Sequence, residues 1–201
     1  LIEPRLGPEL ARPVIVSIAP LLLPLLAAGA FAFVTDAHGV RVSQRTDTKI
    51  IDFVADGNFD APPERVLAVM LDYEHSKEWQ KNLSESTVLR RDAHELDVYQ
   101  RLKLPIVADR DYTLHVRWSE DAHGITVRFA LANDHGPPVK SGVVRVPVHE
   151  GSWRLERTPD GHTSAHYEVR MDMGGSLPSG MARHRAAMNV PDFFEGLRHR
   201  L

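Results

Sequence analysis

The segment DYTLHVRW, Asp111 to Trp118, places Tyr112, Leu114, Val116 and Trp118 on one side of an extended chain and Asp111, Thr113, His115 and Arg117 on the other, because successive strand side chains point to opposite faces. The same period of two returns in residues 124–133, where Ile125, Val127, Phe129 and Leu131 share a side, and in residues 162–173, where Tyr167, Val169, Met171 and Met173 do. In residues 95–104 it groups Val98, Gln100, Leu102 and Leu104. A sheet with one wholly apolar face must be covered by another layer, which excludes an all-helical fold and a free-standing sheet.

The remaining pattern supplies that layer. Residues 38–46 and 49–59 also alternate, and Asp60-Ala61-Pro62-Pro63-Glu64 then opens a helix, with Asp60 or Ala61 near the cap and Val66, Leu67, Val69 and Met70 on its apolar face. Further strands are expected over residues 86–91 and over 142–148 running on to Trp153-Arg154-Leu155, with turn residues between them that suit antiparallel hairpins. Residues 177–201 read as a terminal helix with an apolar stripe of Met181, Ala187, Val190, Phe194, Leu197 and Leu201, kinked or split at Pro191. One helix has less apolar area than the sheet it must cover. Two packings satisfy this, a solid core or a cavity between sheet and helix.

The 201 residues suit one domain, and the formal charge of −3 provides no basic stripe for nucleic acid. The chain has no cysteine, which excludes disulfides, thiolate metal sites and cysteine nucleophiles. Near the N-terminus, Arg5 and Arg12 precede an uncharged run from Val14 to Val34 that ends in small residues. Ala28-Gly29-Ala30 and Ala30-Phe31-Ala32 both fit a small-x-small cleavage rule, and Pro20 and Pro24 disfavour a permanent membrane helix. Residues 1–34 are therefore expected to be a signal peptide and residues 35–201 the domain, exported to the periplasm or the exterior. The run also approaches the ~20 apolar residues that span a bilayer, so an uncleaved anchor over residues 14–34 is the alternative.

Asp109-Arg110-Asp111 is a compact charged triplet, but adjacent strand residues cannot converge on one pocket. A structural role is expected, with Arg110 paired to a neighbouring carboxylate. The eleven histidines raise the question of a metal, but His162 and His166, four apart, would lie ~13 Å apart on a strand, and no metal site is expected in the chain. Gln100 is a candidate inward polar group for a ligand, and His184 on the terminal helix faces the same way. The segment SLPSG lacks the strand-to-helix context of a nucleophile elbow, and no catalytic residue is assigned.

Four blocks, DAPPERVLAVMLDYEHSKEWQKNLSESTVL, YQRLKLPIVADRDYTLHV, SGVVRVPVHEGSWRLE and HYEVRMDMGGSLPSGMARHRAAMNVPDFFEGLR, resemble successive parts of a bacterial START-type domain, the StAR-related lipid-transfer family within the helix-grip, Bet v 1-like group. The similarity covers about residues 40–201. It implies an α+β fold in which a curved antiparallel sheet wraps a long C-terminal helix around a central hydrophobic cavity. It also implies a non-enzymatic role in binding, and carrying, a lipid or other hydrophobic molecule, with transient membrane contact and no cofactor. The cavity candidates on this view are Val98, Gln100, Leu102, Tyr112, Leu114, Val116, Trp118, Phe129, Leu131, Tyr167, Val169, Met171, Met181, His184 and Met188. Candidate gates are residues 131–142 and 174–180. Relatives with a polar pair in the cavity carry an arginine where this chain has Val116, and often a Trp and an Asn where it has Gly180 and Arg183. A cyclase or dehydratase of the same fold is the enzymatic alternative, and a chaperone for a hydrophobic cofactor such as a quinone is a third reading.

Overall fold

The computed structural model describes residues 31–175 and 179–201. Ten strands form one sheet: β1 (Phe31–Ala37), β2 (Val40–Arg45), β3 (Ile51–Phe59), β4 (Leu83–Arg91), β5 (Glu95–Leu102), β6 (Asp109–Asp121), β7 (Gly124–Leu131), β8 (Val143–Arg145), β9 (Val148–Arg157) and β10 (Thr163–Asp172). Their order is β1-β2-β3-β10-β9-β7-β6-β5-β4, antiparallel throughout, with β8 pairing parallel to the start of β6. Helix α1 (Pro63–Met70) follows β3, and α2 (Ser179–Met188) and α3 (Val190–Arg198) end the chain. The result is the expected α+β helix-grip arrangement.

Two expected elements are divided. The strand expected over residues 142–155 breaks at Val146-Pro147, since proline has no N–H for the ladder, and its first part becomes β8. The terminal helix splits at Asn189, with Pro191 in the first turn of α3, where its missing N–H costs least. One strand was not expected. β1 takes up Phe31–Val34, the end of the apolar run, pairing Phe31 with Arg45 and Ala37 with Val40 of β2. The rest of the expected leader lies outside the described residues.

The apolar face reads as the alternation requires. Tyr112, Leu114 and Val116 are buried while Arg117 is exposed, and Ile125, Val127 and Phe129 are buried while Arg128 is exposed. α1 buries Val66 and Val69 on this face, and α3 buries Val190, Phe194 and Leu197. Phe194 stacks on Phe59 with centroids 5.4 Å apart, directly over Gly57, where a Cβ would stand 2.8 Å from the Phe194 ring. A fully buried Phe contributes about 1.5–3 kcal/mol, so this contact anchors α3 to the sheet.

The opposite face of β5 and β6 is covered by residues 132–146, and there the charged triplet resolves. Asp109 accepts from Arg101 at 2.7 Å. Asp111 is fully buried, pairs with Arg145 and accepts from the Tyr99 hydroxyl at 3.1 Å. Arg110 points to the inner side and is buried, but its guanidinium donates to carbonyls, those of Ala108, Met173 (3.4 Å) and Gly174 (3.2 Å), instead of to the expected carboxylate. The three side chains thus serve three separate contacts, and Arg110 fixes the chain as it leaves β10.

Candidate functional site: an aromatic pocket under the terminal helix

Between the inner sheet face, α3 and the 3-10 turn Tyr73–Glu78 lies a pocket of about 140 Å³. Its sheet side carries Gln100, Tyr112, Leu114, Val127 and Phe129, together with His149, Trp153 and Tyr167. Met70 and Leu71 at the end of α1, Tyr73, Trp79 and Gln80 around the turn, and Phe193 and Leu197 of α3 close it. Alternation along β5, β6, β7, β9 and β10 aims the first set inward. Trp79 can lie against α3 because residue 196 is glycine, where a Cβ would stand 2.4 Å from the indole.

The lining is aromatic with a few placed polar atoms. The Tyr112 hydroxyl donates to Gln100 Oε1 at 3.0 Å, and Gln100 Nε2 donates to Ser86 at 3.2 Å. Tyr112 and Phe129 meet the His149 ring edge-on at 4.7 and 5.4 Å, and Trp153 stacks on Tyr167 at 4.1 Å. Burial disfavours charge throughout. It pushes the Tyr73 hydroxyl up to about 12, raises those of Tyr112 and Tyr167, and pushes the His149 imidazole down to about 3, so His149 is neutral at physiological pH. His149 Nδ1 and Trp79 Nε1 are buried without a hydrogen-bond partner. Buried polar atoms are nearly always paired, so two orphans on residues that line one pocket, one from the sheet and one from the turn side, are unusual.

Five of the residues expected to line a cavity do so: Gln100, Tyr112, Leu114, Phe129 and Tyr167. Val98, Val116 and Val169 are buried on the same face but belong to the solid core, as do the partly buried Leu102, Trp118, Leu131 and Met171. The wide tunnel is thus replaced by packed side chains over most of the sheet. His184 and Met188 are corrections: both are exposed on α2, Met188 at 44%, because α2 turns Ala187 inward and these two residues flank that buried position on the helix. The side chain of Met181 lies outside the described residues. His149 was missed although the period running back from Leu155 and Trp153 points at it; the expected strand ran unbroken through Pro147 and drew attention away. Tyr73 and Trp79 sit in an irregular segment that has no period to read.

A larger concavity, about 840 Å³, lies on the outer sheet face, but it is open and its rim is made of charged strand residues in ion pairs, such as Arg170 with Glu150 at 2.9 Å and Arg45 with Asp52 at 3.1 Å. It lacks the enclosed apolar wall that a hydrophobic ligand needs.

A long antiparallel sheet, a terminal helix gripped against it and a pocket between the two define a START-type helix-grip domain. A family model described as "Polyketide cyclase / dehydrase and lipid transport" matches residues 59–198, and the chain belongs to that family. Among solved structures, a StAR-related lipid transfer protein from Xanthomonas axonopodis superposes with a TM-score of 0.77 at 26% identity, covering 85% of this chain and 97% of that one. Human StAR-related lipid transfer protein 5 superposes with a TM-score of 0.73 at 17% identity, covering 86% of each chain, which speaks to the fold alone. An uncharacterized protein of Pseudomonas aeruginosa is 29% identical over 132 residues; the match spans 65% of this chain and 65% of that protein's length.

Proposed function

We propose that this protein binds a lipid or lipid-like small molecule in the pocket under α3 and carries it without chemical change. The observation that carries this reading is the pair of unpartnered buried atoms, His149 Nδ1 and Trp79 Nε1, on residues that line a mainly apolar and aromatic pocket from opposite sides. A hydrocarbon chain supplies affinity, about 0.8 kcal/mol per buried methylene and so about 8 kcal/mol for ten before ordering costs. Polar groups on the ligand satisfy the orphans and set its orientation.

At about 140 Å³ the pocket admits only part of such a ligand, below the ~300–1,000 Å³ of ordinary ligand sites. Loading therefore requires α3 and the turn Tyr73–Glu78 to separate from the sheet. What joins these two elements at the surface is light: Arg200 to Asp72 at 2.7 Å and to Glu78 at 3.4 Å, and Lys81 to Asp192 at 2.6 Å. The Lys81–Asp192 pair is solvent-exposed and contributes ~0–1 kcal/mol, and the half-buried Arg200 pairs remain accessible to water at the surface. Opening at the membrane surface fits a transient membrane contact. In the same reading residues 1–30 direct export, and the mature chain starts no later than Phe31, which keeps β1 whole. No helix among the described residues is long and apolar enough to cross a membrane.

Native mass spectrometry of detergent-free protein, followed by organic extraction, tests carriage. A bound lipid, released in the His149→Phe variant, is expected. An empty protein that also refuses fluorescent fatty acids, phospholipids and sterols overturns it. N-terminal sequencing of envelope fractions tests export, and a full-length chain in the cytosol rules it out. The enzymatic reading, cyclisation or dehydration of a polyketide-like substrate, has one point in its favour, an imidazole, His149, edge-on to Tyr112 in the pocket, and one against it: burial moves both groups away from the neutral range that acid–base catalysis needs. Turnover of such a substrate, abolished in His149→Phe, would establish it over carriage.

A further inference from the structure

We propose that Asp97, His115 and His135 form a binding site for a divalent transition-metal ion, zinc above all, which ties the turn Asn133–His135 to the outer face of the sheet. Asp97 of β5 and His115 of β6 are directly opposed in register, and His135 descends on them from the turn after β7. Their candidate ligand atoms all lie within 4.8 Å of one another. Asp97 is only 3% exposed, and its two oxygens face two imidazoles: Oδ1 is 2.7 Å from His115 Nδ1 and Oδ2 is 3.0 Å from His135 Nδ1. A tetrahedral zinc with bonds of ~2.0–2.1 Å sets its ligand atoms about 3.3 Å apart, so small side-chain rotations suffice to admit it.

In the metal-free protein each Nδ1–H donates to one Asp97 oxygen, so an ion that takes the place of these two protons finds both Nδ1 atoms and the carboxylate already aimed at it. His115 Nε2 is 3.6 Å from Glu95 and His135 Nε2 is 4.0 Å from Asp134, so on metal binding each Nε2–H has a carboxylate to turn toward. This is also the arrangement in which metal-bound histidines are held by a carboxylate behind them. Charge points the same way. Arg90 bridges Asp92, Glu95 and Asp97 at 2.6, 2.6 and 3.1 Å, and three carboxylates against one guanidinium leave two negative charges when both imidazoles are neutral. Two nitrogens and one oxygen suit zinc better than magnesium or calcium, which take oxygen ligands. His135 is the ligand that lies outside the sheet, so the ion's structural effect falls on residues 132–136.

The test is a titration of untagged, chelator-treated protein with zinc sulfate near neutral pH, followed by calorimetry, with cobalt(II) absorption reporting the geometry. One equivalent is expected to bind in the micromolar range or tighter, with an intense tetrahedral cobalt band that zinc displaces. His115→Gln and His135→Gln should each weaken binding at least ~10-fold, and Glu95→Gln by ~10-fold or more through the loss of its support to His115. His166→Gln, in a separate cluster with Asp56 and Glu168, should leave it unchanged. Absence of saturable binding to the wild-type chain overturns the proposal, and so does an affinity that survives both His115→Gln and His135→Gln. The wild-type cobalt spectrum keeps the question decidable if a variant fails to fold: a weak octahedral band also overturns it.

Discussion

Asp111 and Arg145 meet through two near-parallel hydrogen bonds, Nε to Oδ1 at 2.8 Å and Nη2 to Oδ2 at 3.1 Å, beneath the segment that covers the outer face of β5 and β6. Arg145 also donates to the Pro137 carbonyl at 2.9 Å, so the pair fixes that segment to the sheet. Removing one partner leaves a charge buried. Arg145→Ala is expected to cost about 3–5 kcal/mol in urea unfolding, and the double variant Asp111→Leu with Arg145→Met distinctly less than the sum of its parts. A loss below ~1 kcal/mol for Arg145→Ala would show the pair to be solvated.

His149 gives the stability a pH dependence that can be separated from the carboxylates. Its folded pKa, about 3, lies below the ordinary 6.5, so the unfolded chain binds a proton that the folded chain refuses. The His149 contribution is therefore fully present above pH ~6.5 and falls on acidification toward pH ~3, by several kcal/mol in total, whereas His75 and His166, both raised, change stability only above pH ~6.5. Asp72, Asp97 and Asp192 are held below 3.8, and their contributions are lost only as the pH falls below about that value. Between pH ~6.5 and ~4 the slope belongs mainly to His149. His149→Phe should flatten it and leave the protein as stable as the wild type or more so at neutral pH, since an unpaired buried group has been removed. Chemical denaturation at four or five pH values measures this, and an unchanged slope in the variant refutes the assignment.

Gly196 sets helix propensity against packing. Alanine in place of a helical glycine ordinarily gains up to ~1 kcal/mol, yet here its Cβ would stand 2.4 Å from the Trp79 ring. Displacing the indole should win, with a net loss of about 1–3 kcal/mol and a red shift of tryptophan emission. A stabilised Gly196→Ala variant with unchanged emission would mean that Trp79 does not rest on α3.

Val116 and Arg117 are neighbours on opposite faces, the first fully buried between Leu96 and Phe129 in register and the second exposed. Val116→Arg should cost several kcal/mol because it places a cation in the packed core, whereas Arg117→Ala should change stability by less than ~0.5 kcal/mol. Thermal melting of the two variants reads the register of β6, and a reversed order would move every inward residue of that strand outside.

The sheet was legible because its signal is local and repeated: Tyr112, Leu114 and Val116 announce their own face, and the strands beside them agree. The pocket was legible only where it consists of that face. Its other wall comes from Tyr73 and from Trp79, the latter packed against Gly196, and no short-range pattern encodes such a contact. The outer cluster of Asp97, His115 and His135 was hidden for a related reason. Its members are 18 and 20 residues apart along the chain, and they meet through strand register and a turn instead of through any ligand spacing. Burial misled as well. Asp111 and Thr113 alternate away from the apolar face and so read as solvent-facing, yet both are fully buried because residues 132–146 cover them.

The pairing of β3 with β10 joins Phe59 to Thr163 and Ile51 to Met171, partners more than a hundred residues apart in the chain. The hairpins from β4 to β7 close over short turns, whereas this seam must wait for a large loop to close, and α3 has no complete surface to settle on until it has formed. Refolding should accordingly show early gain of sheet signal and a later phase in the emission of Trp79. The pocket is then the last part of the molecule to come into existence, and a hydrophobic ligand present during that late phase would meet an apolar face still uncovered, so that ligand taken up at birth and ligand taken up by opening the finished fold would be acquired at very different rates.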